Sequence, residues 1–313
     1  MATFEGAAPG VPPTATQTGV GSAAGAVLTD AEAARGASLR GDVWRRFRRN
    51  KLAVAGLTVI VLMVVAAVFA PLVTSYSPTE LGSASRAKPG SDHWFGTDVL
   101  GRDLFTRIVY GARVSLRIGV LAVLMATSIG LVIGAVTGFY GGKLDGLLMR
   151  TTDVFLSFPY ILAAIVIITV IGRGENSVIV VLGLLGWMSV ARLFRAAVLQ
   201  AKQADYIEAA RAVGCSDRRL ILRHILPNAI QPVIVYSTIF VGTAVLSEAA
   251  LSFLGAGVTE PTPAWGLMVA QGRSYLFTSP HLLFFPAGAI LITVMAFVFV
   301  GDGLRDALDP RLK

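Results

Sequence analysis

The sequence predicts an all-α polytopic membrane protein with six transmembrane helices, and three observations carry that prediction. Of its 313 residues, 54% are hydrophobic and 15% charged, against about 25% charged in soluble domains. The apolar residues gather in six blocks close to the ~20 residues that carry a helix across a bilayer, at 52–74, 115–138, 154–172, 177–199, 229–253 and 283–302. Basic residues cluster beside these blocks, which gives the formal charge of +8 a role in membrane orientation rather than in nucleic-acid binding.

Taken in order, residues 1–38 are rich in Ala, Gly, Thr and Pro without a hydrophobic period, and predict a disordered tail. Over 39–75, Leu39, Val43, Trp44 and Phe47 recur at helical spacing among arginines. They predict an amphipathic helix on the inner membrane surface leading into the first span; the alternative is a charged juxtamembrane stop without fixed structure. Residues 76–114 read as an external segment, and 115–313 as a five-helix core with a cytoplasmic loop over 200–228. In span two, Ala126, Gly130, Gly134 and Gly138 stand four apart, a small-residue face that lets helix backbones approach closely. Pro159 starts or kinks span three. Arg192 and Arg195 are expected to mark the exit of span four into the headgroups.

Orientation follows from the basic residues. Arg45, Arg46, Arg48, Arg49 and Lys51 precede span one, Lys143 and Arg150 follow span two, and a dense group including Arg211, Arg218, Arg219 and Arg223 follows span four. The positive-inside rule then places both termini in the cytoplasm. One segment fits poorly: Arg86, Lys88, Arg102, Arg107 and Arg113 fall on the expected outer side, offset in part by Asp92, Asp98 and Asp103.

Catalytic chemistry is not legible. The tract Gly141-Gly142-Lys143-Leu144 imitates a phosphate-binding loop, but Thr137 stands where its first Gly belongs and Leu144 where its hydroxyl belongs. His93, His224 and His281 are dispersed, and the single Cys215 has neither disulfide nor metal partner. No catalytic residue, metal site or cofactor bound by this chain is expected, so an energy source must come from elsewhere. Glu248 is the one acid well inside a span, and an intramembrane carboxylate is a functional candidate. It lies 21 residues past Pro227, roughly 30 Å at 1.5 Å per residue. That puts it near the outer interface, where helix packing or a gate role ranks ahead of cargo binding.

The loop between spans four and five is the most informative stretch. Asp205 and Glu208 have capping-box spacing, predicting a helix to Val213 that Gly214 ends in the left-handed conformation. Ser216 or Asp217 can cap a second helix through Leu220, Ile221, Leu222 and Ile225, and Pro227 closes the unit. Aliphatic side chains would then face the bundle and polar ones the cytoplasm.

Glu208-Ala209-Ala210, Gly214 and Leu226-Pro227 resemble the EAA loop of ATP-binding-cassette import permeases. The tract from His224 to Asn228 resembles the peptide and nickel branch of that family. Phe95-Gly96-Thr97-Asp98, Gly101-Arg102-Asp103, the tract from Gly111 to Leu116, Glu248 to Gly255, and Pro263-Ala264-Trp265-Gly266 are similar to its C-type subunits. The resemblance implies one N-terminal helix followed by a type I importer core in the bacterial inner membrane. It implies ATPase coupling through Glu208, Ala209, Ala210, Arg211, Gly214, Leu226 and Pro227, with Glu208 open to both a capping and a docking role. The implied partners are a homologous B-type permease, two ATP-binding subunits or domains that carry ATP and Mg, an external substrate-binding protein, and membrane lipid. Di- or oligopeptides are the implied cargo. The alternatives are nickel, haem or another small solute on the same architecture, or a stand-alone secondary transporter or channel.

Overall fold

The computed structural model describes residues 39–309; the tail expected over 1–38 lies outside them. Two compact units divide between Arg45 and Arg46. The described part of the first is the opening of helix α1 (Leu39–Arg49), where Arg45 pairs with Asp42 at 3.2 Å. The second unit holds the rest of the described chain. Phe47, on the apolar face expected to lie on the membrane surface, is buried within the fold instead. Its ring crowds Gly303, where an added Cβ would meet it at 3.2 Å.

Asn50 separates α1 from α2 (Lys51–Val68) by accepting the Ala53 N–H at 3.1 Å, which satisfies one of the orphan donors of a helix start. After a one-turn helix at Ala70–Val73, the chain forms a long loop with an isolated bridge between Thr97 and Asp103. Helix α3 (Leu104–Tyr140) begins eleven residues before the apolar block that announced it. Asp103 caps it, taking the Thr106 N–H on Oδ2 at 2.7 Å and facing His93 Nδ1 with Oδ1 at 2.9 Å.

Span three is broken at Pro159, one of the two outcomes expected there. The chain forms α4 (Gly142–Leu156) and α5 (Tyr160–Ile171), bent by 89° across the break between them. Pro159 stands at the start of α5, where it lacks a donor and drives the preceding residue out of the helical region. Twelve residues of α5 rise only about 18 Å, short of a ~30 Å hydrocarbon core. Helices α6 (Glu175–Lys202), α7 (Asp205–Ala212), α8 (Gln231–Phe253), α9 (Trp265–Gly272) and α10 (His281–Leu308) complete the order. Among the described residues five helices are long and apolar enough to cross a bilayer, or six if the bent pair forms one span.

Helices α3 and α6 make the most extensive pairing, and the small-residue face explains it. A Cβ on Gly134 would lie 2.7 Å from the Ala191 carbonyl oxygen, and Gly130 and Gly138 meet Val190 and Val198 as closely. Close backbone approach supplies the dispersion contacts that hold helices together where lipid removes the hydrophobic drive. Helix α10 lies against both α8 and α2.

Four of the basic residues that strain the orientation rule, Arg86, Arg102, Arg107 and Arg113, have partners within the fold. Arg113 donates to the Ala67 and Val68 carbonyls at 2.6 and 3.0 Å, closing the end of α2. Arg86 lies over the Tyr275 ring, 5.0 Å from its centroid. Arg102 and Arg107 are buried in an acidic cluster described below. Arg192 and Arg195 are likewise no simple headgroup markers. Arg195 makes a two-pronged pair with Asp145, both contacts at 2.6 Å, and Arg192 pairs with Asp153.

Candidate functional site

The segment from Ala204 to Ile230 forms a two-sided unit after α6. Helix α7 starts with Ala204 at the N-cap and no side-chain cap, so the capping box expected of Asp205 and Glu208 does not form. Asp205 already lies inside the helix, and both carboxylates act on its first turn through the helix dipole. Glu208 is exposed and has no hydrogen-bond or ion-pair partner among the described residues. Of its two sequence-level roles, the capping one is removed.

Gly214 ends α7 as expected, at φ +82°. Its N–H donates to the Arg211 carbonyl at 2.9 Å, and the Cys215 N–H donates to the Ala210 carbonyl at 3.1 Å. This pair of bonds is the Schellman termination. Nothing lies within 4 Å of where a Cβ on Gly214 would stand, so the glycine is needed for its backbone angle and not for space.

The second helix starts with the Leu220 N–H on the Ser216 carbonyl at 2.9 Å. It runs as Asp217–Arg219, a π-helical turn at Leu220–Ile225 and a further turn at Leu226–Ala229. Pro227 does not close the unit. It sits in the first turn of Leu226–Ala229, where a missing N–H is tolerated, and the path continues into α8. The π turn has a packing reason. Leu220, Ile225, Ala229 and Val233 are all buried in one cluster with Phe139, Val190, Phe194, Val198 and Ile207. The first two are five residues apart and the rest four, so one wide turn is needed to keep all on one face.

The other face is open. Ala209, Arg211, Arg218, Arg219 and Pro227 are exposed, and Ala210 and Leu226 half-buried. Val213 at the tip is 81% exposed. The structure thus gathers the candidate residues Glu208, Ala209, Ala210, Arg211 and Gly214 at one protruding tip, with Leu226 and Pro227 two turns away on the second helix. The arrangement can present a fixed surface to another protein; it holds no group poised for bond chemistry.

Glu248 lies elsewhere, fully buried in α8. Its carboxylate accepts from Ser115 of α3 at 3.2 Å and from Ser252 at 2.8 Å. Ser252 Oγ in turn accepts the Val258 N–H at 3.2 Å, so the group joins two helices and the loop beyond.

A second polar cluster was not foreseen. Arg102 Nε donates to Asp98 at 2.6 Å and its NH1 to Glu260 at 2.8 Å. Arg107 NH2 and Gln271 Nε2 donate to Glu260 at 3.2 and 2.6 Å. Burial works against charge on Arg102, but Glu260 and Asp98 outweigh it and raise its pKa. Burial also pushes the Glu260 carboxyl upward, and the hydrogen bonds and charges of Arg102, Gln271 and Arg107 overcome this and hold it below the ordinary range. The cluster ties the loop before α3 to the segment before α9. Arg102 and Glu260 lie 158 residues apart, so no local pattern could have revealed their pairing.

Comparisons to known proteins show the family. The family described as the binding-protein-dependent transport system inner membrane component matches residues 130–313. The N-terminal TM domain of oligopeptide transport permease C matches residues 38–89. The chain is 45% identical over 278 residues to the oligopeptide transport system permease protein OppC of Bacillus subtilis (strain 168), covering 88% of this chain and 91% of that one. It is 42% identical to the dipeptide transport system permease protein DppC of Alkalihalophilus pseudofirmus, covering 87% and 90%. It is 43% identical to the glutathione transport system permease protein GsiD of Escherichia coli O157:H7, covering 87% and 90%. An inward-facing structure of the MetNI methionine ABC transporter shares the fold, with TM-score 0.53 and 22% identity over 65% of this chain and 97% of that one. The chain is therefore a non-catalytic, multi-pass membrane permease that works with an ATP-binding partner, and it belongs to the family of binding-protein-dependent transport system inner membrane components.

Proposed function

We propose that this chain forms half of the path of a di- or oligopeptide importer and that the tip around Glu208 and Gly214 docks on the ATP-binding subunit. The observation that carries the docking role is the two-sided unit itself. An exposed, unpaired Glu208 stands beside a Schellman-terminated Gly214, while Ile207, Leu220 and Ile225 hold the unit on α3 and α6 from beneath. The peptide reading draws on relatives named for oligopeptide, dipeptide and glutathione transport.

In this reading a homologous B-type permease supplies the other half of the path, and two ATP-binding subunits carry ATP and Mg. An external binding protein selects the cargo, and both termini lie in the bacterial cytoplasm. Nucleotide-driven closure of the ATP-binding subunits moves the tip, and the movement opens and shuts the path. Ala209, Ala210 and Arg211 extend the docking surface, and Leu226 and Pro227 fix the second helix beneath it. Glu248 serves the outer gate by tying α8 to α3, not as a cargo ligand.

The test is uptake of radiolabelled tri-alanine by vesicles holding the complete complex. Glu208→Arg is expected to reduce uptake at least tenfold with unchanged amounts of assembled complex. Uptake at the wild-type rate by that variant would refute the docking role.

A further inference from the structure

Helix α4 is jointed at both ends. At one end lie Gly141 and Gly142, at φ +67° and +63°, with nothing within 4 Å of a Cβ on either. At the other lies the 89° bend to α5. Apolar packing holds the helix only weakly, since Thr152 is its one buried residue and Leu147, Val154 and Phe155 are exposed. Its lateral ties are ionic: Asp145 to Arg195 in the two-pronged geometry, and Asp153 to Arg192. The two arginines are three residues apart, on one face of α6.

Helix α6 is by contrast firmly seated. The small-residue face locks it to α3, and Lys202 Nζ donates to the Phe139 carbonyl at the end of α3 at 2.6 Å. Three residues after Lys202, at Asp205, the chain enters α7. The docking tip, α6 and α3 are thus one firmly joined body, and α4 is a jointed lever clasped to it by two ion pairs.

We propose that Arg192 and Arg195 are positioning residues for transport: through Asp153 and Asp145 they make α4, and with it the broken α4–α5 segment, follow the movement of the docking tip. This rests on the coupling role proposed above. A bidentate guanidinium–carboxylate pair has a fixed planar geometry, so it transmits rotation as well as displacement. Among the described residues, helix α4 buries no apolar side chain fully, Leu148 and Met149 being only half-buried. Breaking the clasp therefore leaves ATP hydrolysis and assembly in place and disconnects the path from them.

The experiment uses the complete complex in vesicles and measures tri-alanine taken up per ATP hydrolysed. Asp145→Arg and Arg195→Asp are each expected to lower that ratio about tenfold, and the double swap to restore it to within about threefold of wild type. A wild-type ratio in both single variants, or a swap no better than either single, overturns the clasp. A cargo-independent measurement accompanies it: the spin-label distance between Leu147→Cys on α4 and Val213→Cys at the tip, in a Cys215→Ser background. The distance distribution is expected to stay narrow through the nucleotide cycle, to broaden in Arg195→Asp, and to narrow again in the swap; no broadening overturns the proposal. Should Arg195→Asp fail to assemble, Arg195→Gln takes its place and must broaden the distribution. Absence of tri-alanine uptake by the wild-type complex would count against the peptide reading alone, and normal uptake by Glu208→Arg against the docking role alone, while the distance measurement still decides the clasp.

Discussion

Replacing Gly214 separates a conformational requirement from a contact requirement. At φ +82° an L-residue with a Cβ is disfavoured by about 1–2 kcal/mol in the left-handed region, whereas Asn adopts it more readily. The site has open space around the missing Cβ, so within this chain no steric clash adds to the backbone cost. A cost of about 1–2 kcal/mol corresponds to a factor of about 5–30 in population, here the ratio of terminated to frayed tip. Transport is therefore expected to fall in the order Gly, Asn, Ala, Val. Gly214→Asn should remain within about twofold of wild type and Gly214→Ala fall about tenfold. Assembly should be unchanged in all three, because the anchoring side chains Ile207, Leu220 and Ile225 lie on the opposite face. The assay is tri-alanine uptake and ATP hydrolysis by the reconstituted complex. If Gly214→Asn were as defective as Gly214→Val, side-chain size against the docked partner would govern the position, and the backbone angle would not.

The small-residue face makes a sharper stability prediction: Gly134→Ala drives a Cβ to 2.7 Å from the Ala191 carbonyl oxygen. Overpacking of this kind costs about 1–3 kcal/mol, to be read as a lowered midpoint in thermal aggregation of the detergent-purified complex, while Gly146→Ala, in open space, should leave it unchanged. Glu260 predicts a pH dependence. Its folded pKa is depressed, so its stabilisation is fully present above the ordinary glutamate value of about 4.3. That stabilisation is lost as pH falls through the lower folded value. The acid limb of a thermal-stability profile should therefore flatten in Glu260→Gln, and an unchanged limb would contradict the assignment.

Most of the helical order was legible because membrane spans are written in composition, and the tip after α7 because Gly214 has a local conformational signature. The bend at Pro159 was readable as a break, but its angle depends on how α4 meets α6 through Asp145 and Asp153, whose arginine partners stand on another element. The start of α3 was missed because Leu104 to Val114 mixes charge with apolar residues. One of the two charges that hide it, Arg107, is buried against Glu260, a partner that only the folded chain supplies. Arg113 was counted as an outer positive charge, whereas it serves two backbone carbonyls at the end of α2. Counting charges weighs every basic residue equally; the fold distinguishes those that face the headgroups from those that complete a helix end. Glu208 is the converse case. Its spacing invited a capping role, and the structure leaves it bare because the helix starts at Asp205.

The π turn before Pro227 has two candidate causes, and a single substitution separates them. Either the proline forces the wide turn, or the buried spacing of Leu220, Ile225, Ala229 and Val233 does. In an α-helix, five residues advance about 500°, so Ile225 would point roughly 140° away from Leu220. Exposing Ile225 would cost about 1.5–3 kcal/mol of burial. Restoring an N–H at position 227 offers one further hydrogen bond, worth about 1 kcal/mol net. Burial outweighs that hydrogen bond, so Pro227→Ala is expected to keep the π turn, with the Leu226 N–H still on the Ile221 carbonyl as in the present structure. A solved structure of the variant complex reads this directly. An α-helical register with Ile225 turned out of the cluster would show that the proline holds the turn. The tip would then owe its seat on α6 to one residue and not to the spacing of its buried face.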